Sequence, residues 1–229
     1  MPDIENGDAR KARQTQSLDG TWDIAFDPEN EGRGRRWTRR QDFPGDRAQA
    51  IPVPSCWELT EKDYEGVAFY RHTFTVPAEW EGKVVRLHFD AVNFLAEVWL
   101  NDSAVGVHEG GFTPFEFRVD DVLAFGEENT LILRVAGPIL LQDKQVDGVG
   151  PLETPQWRGA ITGGIWQSVT LIATGNACLE DVFIEPKVTD SEVTFHMMVS
   201  HAASRSCPAR VAVVVRSTTD PASTVDHVE

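Results

Sequence analysis

Residues 137–164 carry side chains able to act on a polar ligand: Asp143, Lys144, Asp147, Glu153, Trp157 and Arg158 lie between Gly137 and Gly164. The run is long, polar and aperiodic. Such loops are uncommon in folded domains unless they have a function. Trp157 is the aromatic candidate of this run; packing of the loop onto the body is its plainer reading. Other signatures fail. His108-Glu109-Gly110-Gly111-Phe112 has Phe where a zinc helix needs its second His, and it reads as a loop. Gly32-Arg33-Gly34 and Gly148-Val149-Gly150 do not continue into a phosphate cradle. No Gly-x-Ser-x-Gly elbow occurs. Cys56 reads as a small packed side chain.

The elements that must hold such a loop are strands. Val85, Leu87 and Phe89 alternate with Arg86, His88 and Asp90; Ala96, Val98 and Leu100 alternate with Glu97, Trp99 and Asn101. Phe115, Phe117 and Val119 repeat the pattern, followed by Leu131, Leu133 and Val135, then by a strand over 166–173. Period-two alternation places every second side chain on one face and predicts half-buried strands. Asn101-Asp102-Ser103, Gly110-Gly111 and 126–129 supply turns. Residues 121–125 fit one short helical turn at most. Many short strands punctuated by Gly and Pro predict an all-β fold, with a jelly roll suiting the length. Thr174-Gly175-Asn176 interrupts the pattern. Val182 and Ile184, Val193 and Phe195, and Val211, Val213 and Val215 then begin a second one. The expected organisation is a polar lead-in over 1–16, a jelly roll over 17–176, and over 177–229 about half of the roughly 100 residues an immunoglobulin-like sandwich needs.

Composition removes several function classes. The 229 residues carry 21 Lys and Arg against 36 Asp and Glu, a net charge of −15. That balance repels nucleic-acid backbones and anionic membranes. The basic cluster Arg33, Arg35, Arg36, Arg39 and Arg40 is a local exception and reads as a solvated loop. Three cysteines give no disulfide framework. No apolar leader or membrane span appears, so a cytoplasmic location is expected.

Five ordered segments resemble glycoside hydrolase family two, the β-galactosidases, β-glucuronidases and β-mannosidases. They are Ser17-Leu18-Asp19-Gly20-Thr21-Trp22, Ile51-Pro52-Val53-Pro54-Ser55-Cys56-Trp57, Asp63-Tyr64-Glu65-Gly66-Val67-Ala68-Phe69-Tyr70-Arg71, the run from Val98-Trp99-Leu100-Asn101 through His108-Glu109-Gly110-Gly111 to Phe117, and Gly163-Gly164-Ile165-Trp166-Gln167-Ser168-Val169. The resemblance implies a galactose-binding-like jelly roll, then an immunoglobulin-like domain, then a TIM barrel with the acid/base and nucleophile glutamates. Retaining hydrolysis needs two carboxyls roughly 5–5.5 Å apart, and no such pair stands out in this sequence. The expectation is therefore a sugar-binding N-terminal fragment, not catalytic alone, that partners a missing C-terminal barrel and a β-glycoside, β-galactosidase-like in preference. By the same resemblance, Asp147, ten residues before Trp157-Arg158, helps hold the sugar and a nearby sodium ion; Asp63 takes a sugar-contacting position that is usually Asn; Trp157 stacks its indole on the C–H edges of a pyranose face, and Arg158 is a further contact. No other cofactor is implied, and a homo-oligomer stays open. Two rival readings accompany it: a stand-alone carbohydrate-binding module, and a sandwich used only for structural contacts.

Overall fold

A computed structural model describes residues 13–139, 146, 147, 149, 162–202, 211–219 and 224–228. In chain order the strands are β1 (Gln14–Ser17), β2 (Gly20–Asp27), β3 (Gln49–Val53), β4 (Val67–Thr75), β5 (Val85–Phe89), β6 (Leu95–Leu100), β7 (Ser103–Glu109), β8 (Phe115–Arg118), β9 (Glu128–Ala136), β10 (Val169–Ala173), β11 (Ala177–Lys187), β12 (Glu192–His201), β13 (Val213–Arg216) and β14 (Thr224–Val228). The molecule is all-β, as the alternation predicts. A six-stranded sheet runs β3-β2-β4-β9-β6-β7 and a four-stranded sheet runs β1-β10-β5-β8. Every named pairing is antiparallel.

Between these sheets lies the main core. Trp22, Ile24, Tyr70, Leu133 and Val98 meet Leu87, Phe89 and Leu171 there. These residues occupy alternate positions of their strands, so the pleat turns all of them inward. Two expectations are corrected. β9 is not half-buried: every position from Asn129 to Ala136 is buried. The reason is a second cluster on the outer face of the six-stranded sheet, where Trp37 and Phe43 of the 28–48 segment cover Ala25, Phe69 and Ile132. Buried Asp27 folds that segment back by accepting from the N–H groups of Glu31 and Gly32, both at 2.9 Å. The strand expected over 166–173 begins only at Val169.

His108 and Glu109 end strand β7 and are not in a loop. β6 and β7 join through Asn101 and Asp102, both at positive φ (51° and 68°), the geometry of a two-residue hairpin turn. At 119–123 the chain makes one hydrogen-bonded turn, closed by bonds from the Val122 and Leu123 amides to the Val119 carbonyl.

Beyond Ala173 the pairing changes. β11 and β12 form one ribbon, β13 and β14 another. A bulge between Leu179 and Asp181 sets Glu180 outside the ladder. Its carboxylate pairs with Arg86 of β5, which also bonds Glu116 at 3.2 Å. Arg118 donates to the His201 carbonyl at 3.0 Å. These contacts tie the β11–β12 ribbon to the four-stranded sheet.

Candidate functional site

The residues that flank the polar loop meet at one buried indole. Trp57 begins a 3₁₀ turn, Trp57–Leu59, and is fully buried. Gly137, where the loop leaves β9, and Gly163, where it returns, both press on this ring. A methyl group at either position would lie 2.2 Å or 2.1 Å from a ring carbon. Glycine is required here by close approach, since contacts that short do not occur. The chain thus leaves β9 and returns across a single side chain.

Hydrogen bonds lock the junction. The Trp57 amide donates to the Gly163 carbonyl at 3.1 Å, and the Gly137 amide to the Gly66 carbonyl at 2.8 Å. Asn93 and Gly164 exchange a backbone pair at 2.9 and 3.0 Å. The Asn93 side-chain amide also donates to the Thr162 carbonyl. Glu58 Oε1 accepts from the Gly163 amide at 2.9 Å. Burial raises the Glu58 carboxyl above its ordinary value of 4.5. Around the same point, Trp57 Nε1, Glu58 Oε2, Tyr70 Oη and Asn93 Oδ1 are buried without a well-formed hydrogen bond among the described residues. Glu58 lies against the Trp57 indole and the Tyr70 hydroxyl against the Ile165 backbone, so the polar atoms of this junction face one another.

Asp147 is held on the other side of the sheet. Its carboxylate pairs with Arg134 of β9, which is fully buried, and lies 3.4 Å from Arg33. Arg134 also bonds Glu97 at 2.8 Å and Asn30 at 2.7 Å, while Arg33 bonds Glu97 at 2.6 Å. Two guanidiniums and two carboxylates therefore form one network. The basic cluster is exposed, as expected of a solvated loop, but two of its members are also paired: Arg33 belongs to this network, and Arg40 bonds Asp102 at 3.1 Å. Next to Asp147, Val146 and Val149 exchange backbone hydrogen bonds at 2.9 Å and pack with Ile139 in the outer cluster.

Of the sequence-derived candidates, Asp63 and Asp147 are described. Asp63 stands at positive φ (55°) on the exposed turn after Trp57–Leu59, with Lys62 at 3.9 Å. It sits close enough to Glu58 to act on its charge. Trp157 and Arg158 lie outside the described residues. Sodium does not fit at Asp147: both carboxylate oxygens face arginine nitrogens, whose charge opposes a cation, and no group of three acidic, His or Cys side chains gathers among the described residues. Sequence reasoning missed Glu58, Asn93 and Arg134. Arg134 had a signal, a lone charge inside the apolar run Leu131-Ile132-Leu133-Arg134-Val135.

Comparison with known proteins places this architecture. The family profile "Glycosyl hydrolases family 2, sugar binding domain" matches residues 15–175. A β-glucuronidase of Paenibacillus borealis is 33% identical over 128 residues, 54% of this chain and 21% of that protein. A β-galactosidase of Thermoanaerobacter pseudethanolicus is 34% identical over 133 residues, 57% of this chain and 17% of that protein. The β-glucuronidase of Ruminococcus gnavus, solved in complex with D-glucuronic acid, superposes with a TM-score of 0.68 at 26% identity, covering 90% of this chain and 36% of that one. The chain spans about a fifth of the length of these curated relatives. It belongs to glycosyl hydrolase family 2, through that family's sugar-binding domain.

Proposed function

We propose that this chain is the N-terminal, sugar-binding part of a retaining exo-β-glycosidase, with a jelly-roll domain over 17–176, to whose four-stranded sheet the end of the lead-in adds β1 from Gln14, and the start of an immunoglobulin-like domain after it. It contributes a substrate-contacting loop to a site whose two catalytic carboxylates belong to a barrel domain, and it does not hydrolyse glycosides alone. The observation that carries this reading is the junction at Trp57. A family sandwich spends two glycines, a half-buried glutamate and Asn93 on fixing the two ends of this stretch. Trp157 and Arg158 within that loop are the proposed sugar contacts, and Asp63 flanks its base. Asp147, already engaged by Arg134 and Arg33, acts by anchoring the loop. The substrate is a β-galactoside or a β-glucuronide, the two activities carried by the relatives' names, and the reaction of the whole enzyme is double displacement.

A chromogenic assay tests this. The chain alone is expected to give only blank rates with nitrophenyl β-galactoside and β-glucuronide. The same chain joined ahead of the remaining domains of a relative should hydrolyse one of them, and Trp157→Ala should weaken that activity at least tenfold in kcat/KM. Turnover by the chain alone, or a folded fusion indifferent to Trp157→Ala, contradicts the proposal.

A further inference from the structure

The outer face of the six-stranded sheet carries a second feature, independent of the loop. Beyond the edge of the cluster under Trp37 and Phe43, the apolar surface gives way to a groove of about 330 Å³ lined by Thr21, Asp23, Arg40, Arg71, His72, Thr73 and Thr130. The floor is built by register. Thr73 of β4 pairs with Thr130 of β9, and Asp23 of β2 pairs with Arg71 of β4. Continuing the β2–β4 register by two residues brings Thr21 beside Thr73. Three threonines therefore cross three adjacent strands in one row, with an acid–base pair in the next.

The charges in this groove are cancelled in place. Arg71 donates twice to Asp23 Oδ2, at 3.0 and 2.6 Å, and its guanidinium lies 4.4 Å from the centre of the Phe43 ring. The ring and the carboxylate together fix its plane. Arg40 is engaged by Asp102, through its side chain at 3.1 Å and its backbone amide at 2.8 Å. What the groove offers is hydrogen bonding without net charge: threonine hydroxyls that both donate and accept, the second Asp23 oxygen, and the remaining guanidinium N–H groups. In a chain of net charge −15, a groove of this kind does not suit an anion. It suits a neutral polyol.

We propose that this groove is a binding site for an uncharged saccharide, one or two sugar units in size. It is separate from the Trp57 junction. Thr73 and Thr130 stand six residues along their strands from Val67 and Ala136, the pair beside Gly137, which is about 20 Å at the rise of a β-strand. The one ring among its lining residues, the His72 imidazole, is already stacked on Trp22 with centroids 4.7 Å apart and offers no free platform, so affinity is expected in the millimolar range. Its role would be to hold a polymeric or surface-bound glycan while another part of the molecule works on a chain end.

The test is an amide-resolved NMR titration of the ¹⁵N-labelled 229-residue chain with lactose, cellobiose and mannobiose, each to tens of millimolar. At least one disaccharide should shift the amides of residues 21–23, 71–73 and 130 along saturable curves. Thr73→Val keeps the volume and the β-branch at an exposed strand position, so the fold should persist, and it should weaken that saturation at least threefold. Arg71→Gln should do the same. Shifts confined to 57–59 and 162–166, no shift with any of the three sugars, a Thr73→Val protein that titrates like the parent, or tighter binding of a nitrophenyl glucuronide than of the neutral sugars would each overturn it.

Discussion

Arg134 is the residue on which most charge depends. It is fully buried, and Glu97, Asn30 and Asp147 all bond it. Removing one member of a buried charge network strands the others, at a cost of about 3–5 kcal/mol. Arg134→Ala is therefore expected to lower stability to chemical denaturation by about that much, and Asp147→Asn by clearly less, since Asp147 is a quarter exposed at its side chain. Equal losses for the two variants would contradict the ranking. Glu58 makes a pH-dependent prediction. Its carboxyl is raised above 4.5 by burial, so the folded chain binds its proton more readily than the unfolded chain does. The stabilisation is fully present below the unfolded value and is lost as pH rises through the folded one. The stability difference between the parent and Glu58→Gln should therefore shift in the parent's favour as pH falls from about 7 to about 4. His72, lowered by burial, slopes the opposite way but is common to both proteins and cancels. Parallel urea midpoints across that range would remove Glu58 from the account. At this scale the sequence was only partly readable. Arg134 stood out as a charge inside an apolar strand. Glu58 and Asn93 looked like ordinary polar residues beside turns, because their partners at 162–164 are 69 or more positions away.

The strands themselves were legible, because alternation is a local property. The hairpin at Asn101-Asp102 was legible for the same reason, since both residues tolerate positive φ. Which strands would be buried on both faces was not. The cover over β9 and β4 comes from 28–48 and from Ile139, Val146 and Val149, and no local pattern announces it. The elements at the loop base make a steric prediction. Gly163→Ala and Gly137→Ala each drive a methyl group into the Trp57 ring, and overpacking of this kind costs about 1–3 kcal/mol. Gly34→Ala meets only the Glu31 carbonyl, at 3.4 Å, and should be nearly neutral. Thermal melts of the three variants decide this, and a Gly163→Ala protein as stable as Gly34→Ala would refute the clamp. At the other end of the sandwich, the bulge at Glu180 aims its carboxylate at Arg86. Arg86→Met should speed amide hydrogen exchange in β11 and β12 while leaving β4 and β9 protected. Unchanged exchange in the ribbon would mean that the joint is held elsewhere.

At the scale of the whole molecule, the family was readable from ordered motifs, because those motifs serve the same junctions seen in the structure. Trp57 closes the Pro-rich segment, Gly66 accepts from the Gly137 amide, Gly111 accepts from the Trp166 indole at 2.8 Å, and Gly163-Gly164 returns the loop. Spaced along the sequence, they converge in space on one end of the sandwich. The arginines that face the Asp147 carboxylate were not readable, since a motif spacing carries no information about them. The central claim is that this end of the sandwich delivers a sugar-contacting loop to a catalytic centre supplied by other domains. Its most direct test is the paired rate measurement: nitrophenyl β-galactoside and β-glucuronide hydrolysis by the chain alone, and by the chain joined to a relative's remaining domains, with and without Trp157→Ala. The account predicts blank rates for the chain alone, hydrolysis of one substrate by the fusion, and at least a tenfold fall in kcat/KM on removing Trp157. Hydrolysis by the chain alone, or a fusion whose rate ignores Trp157, would contradict it.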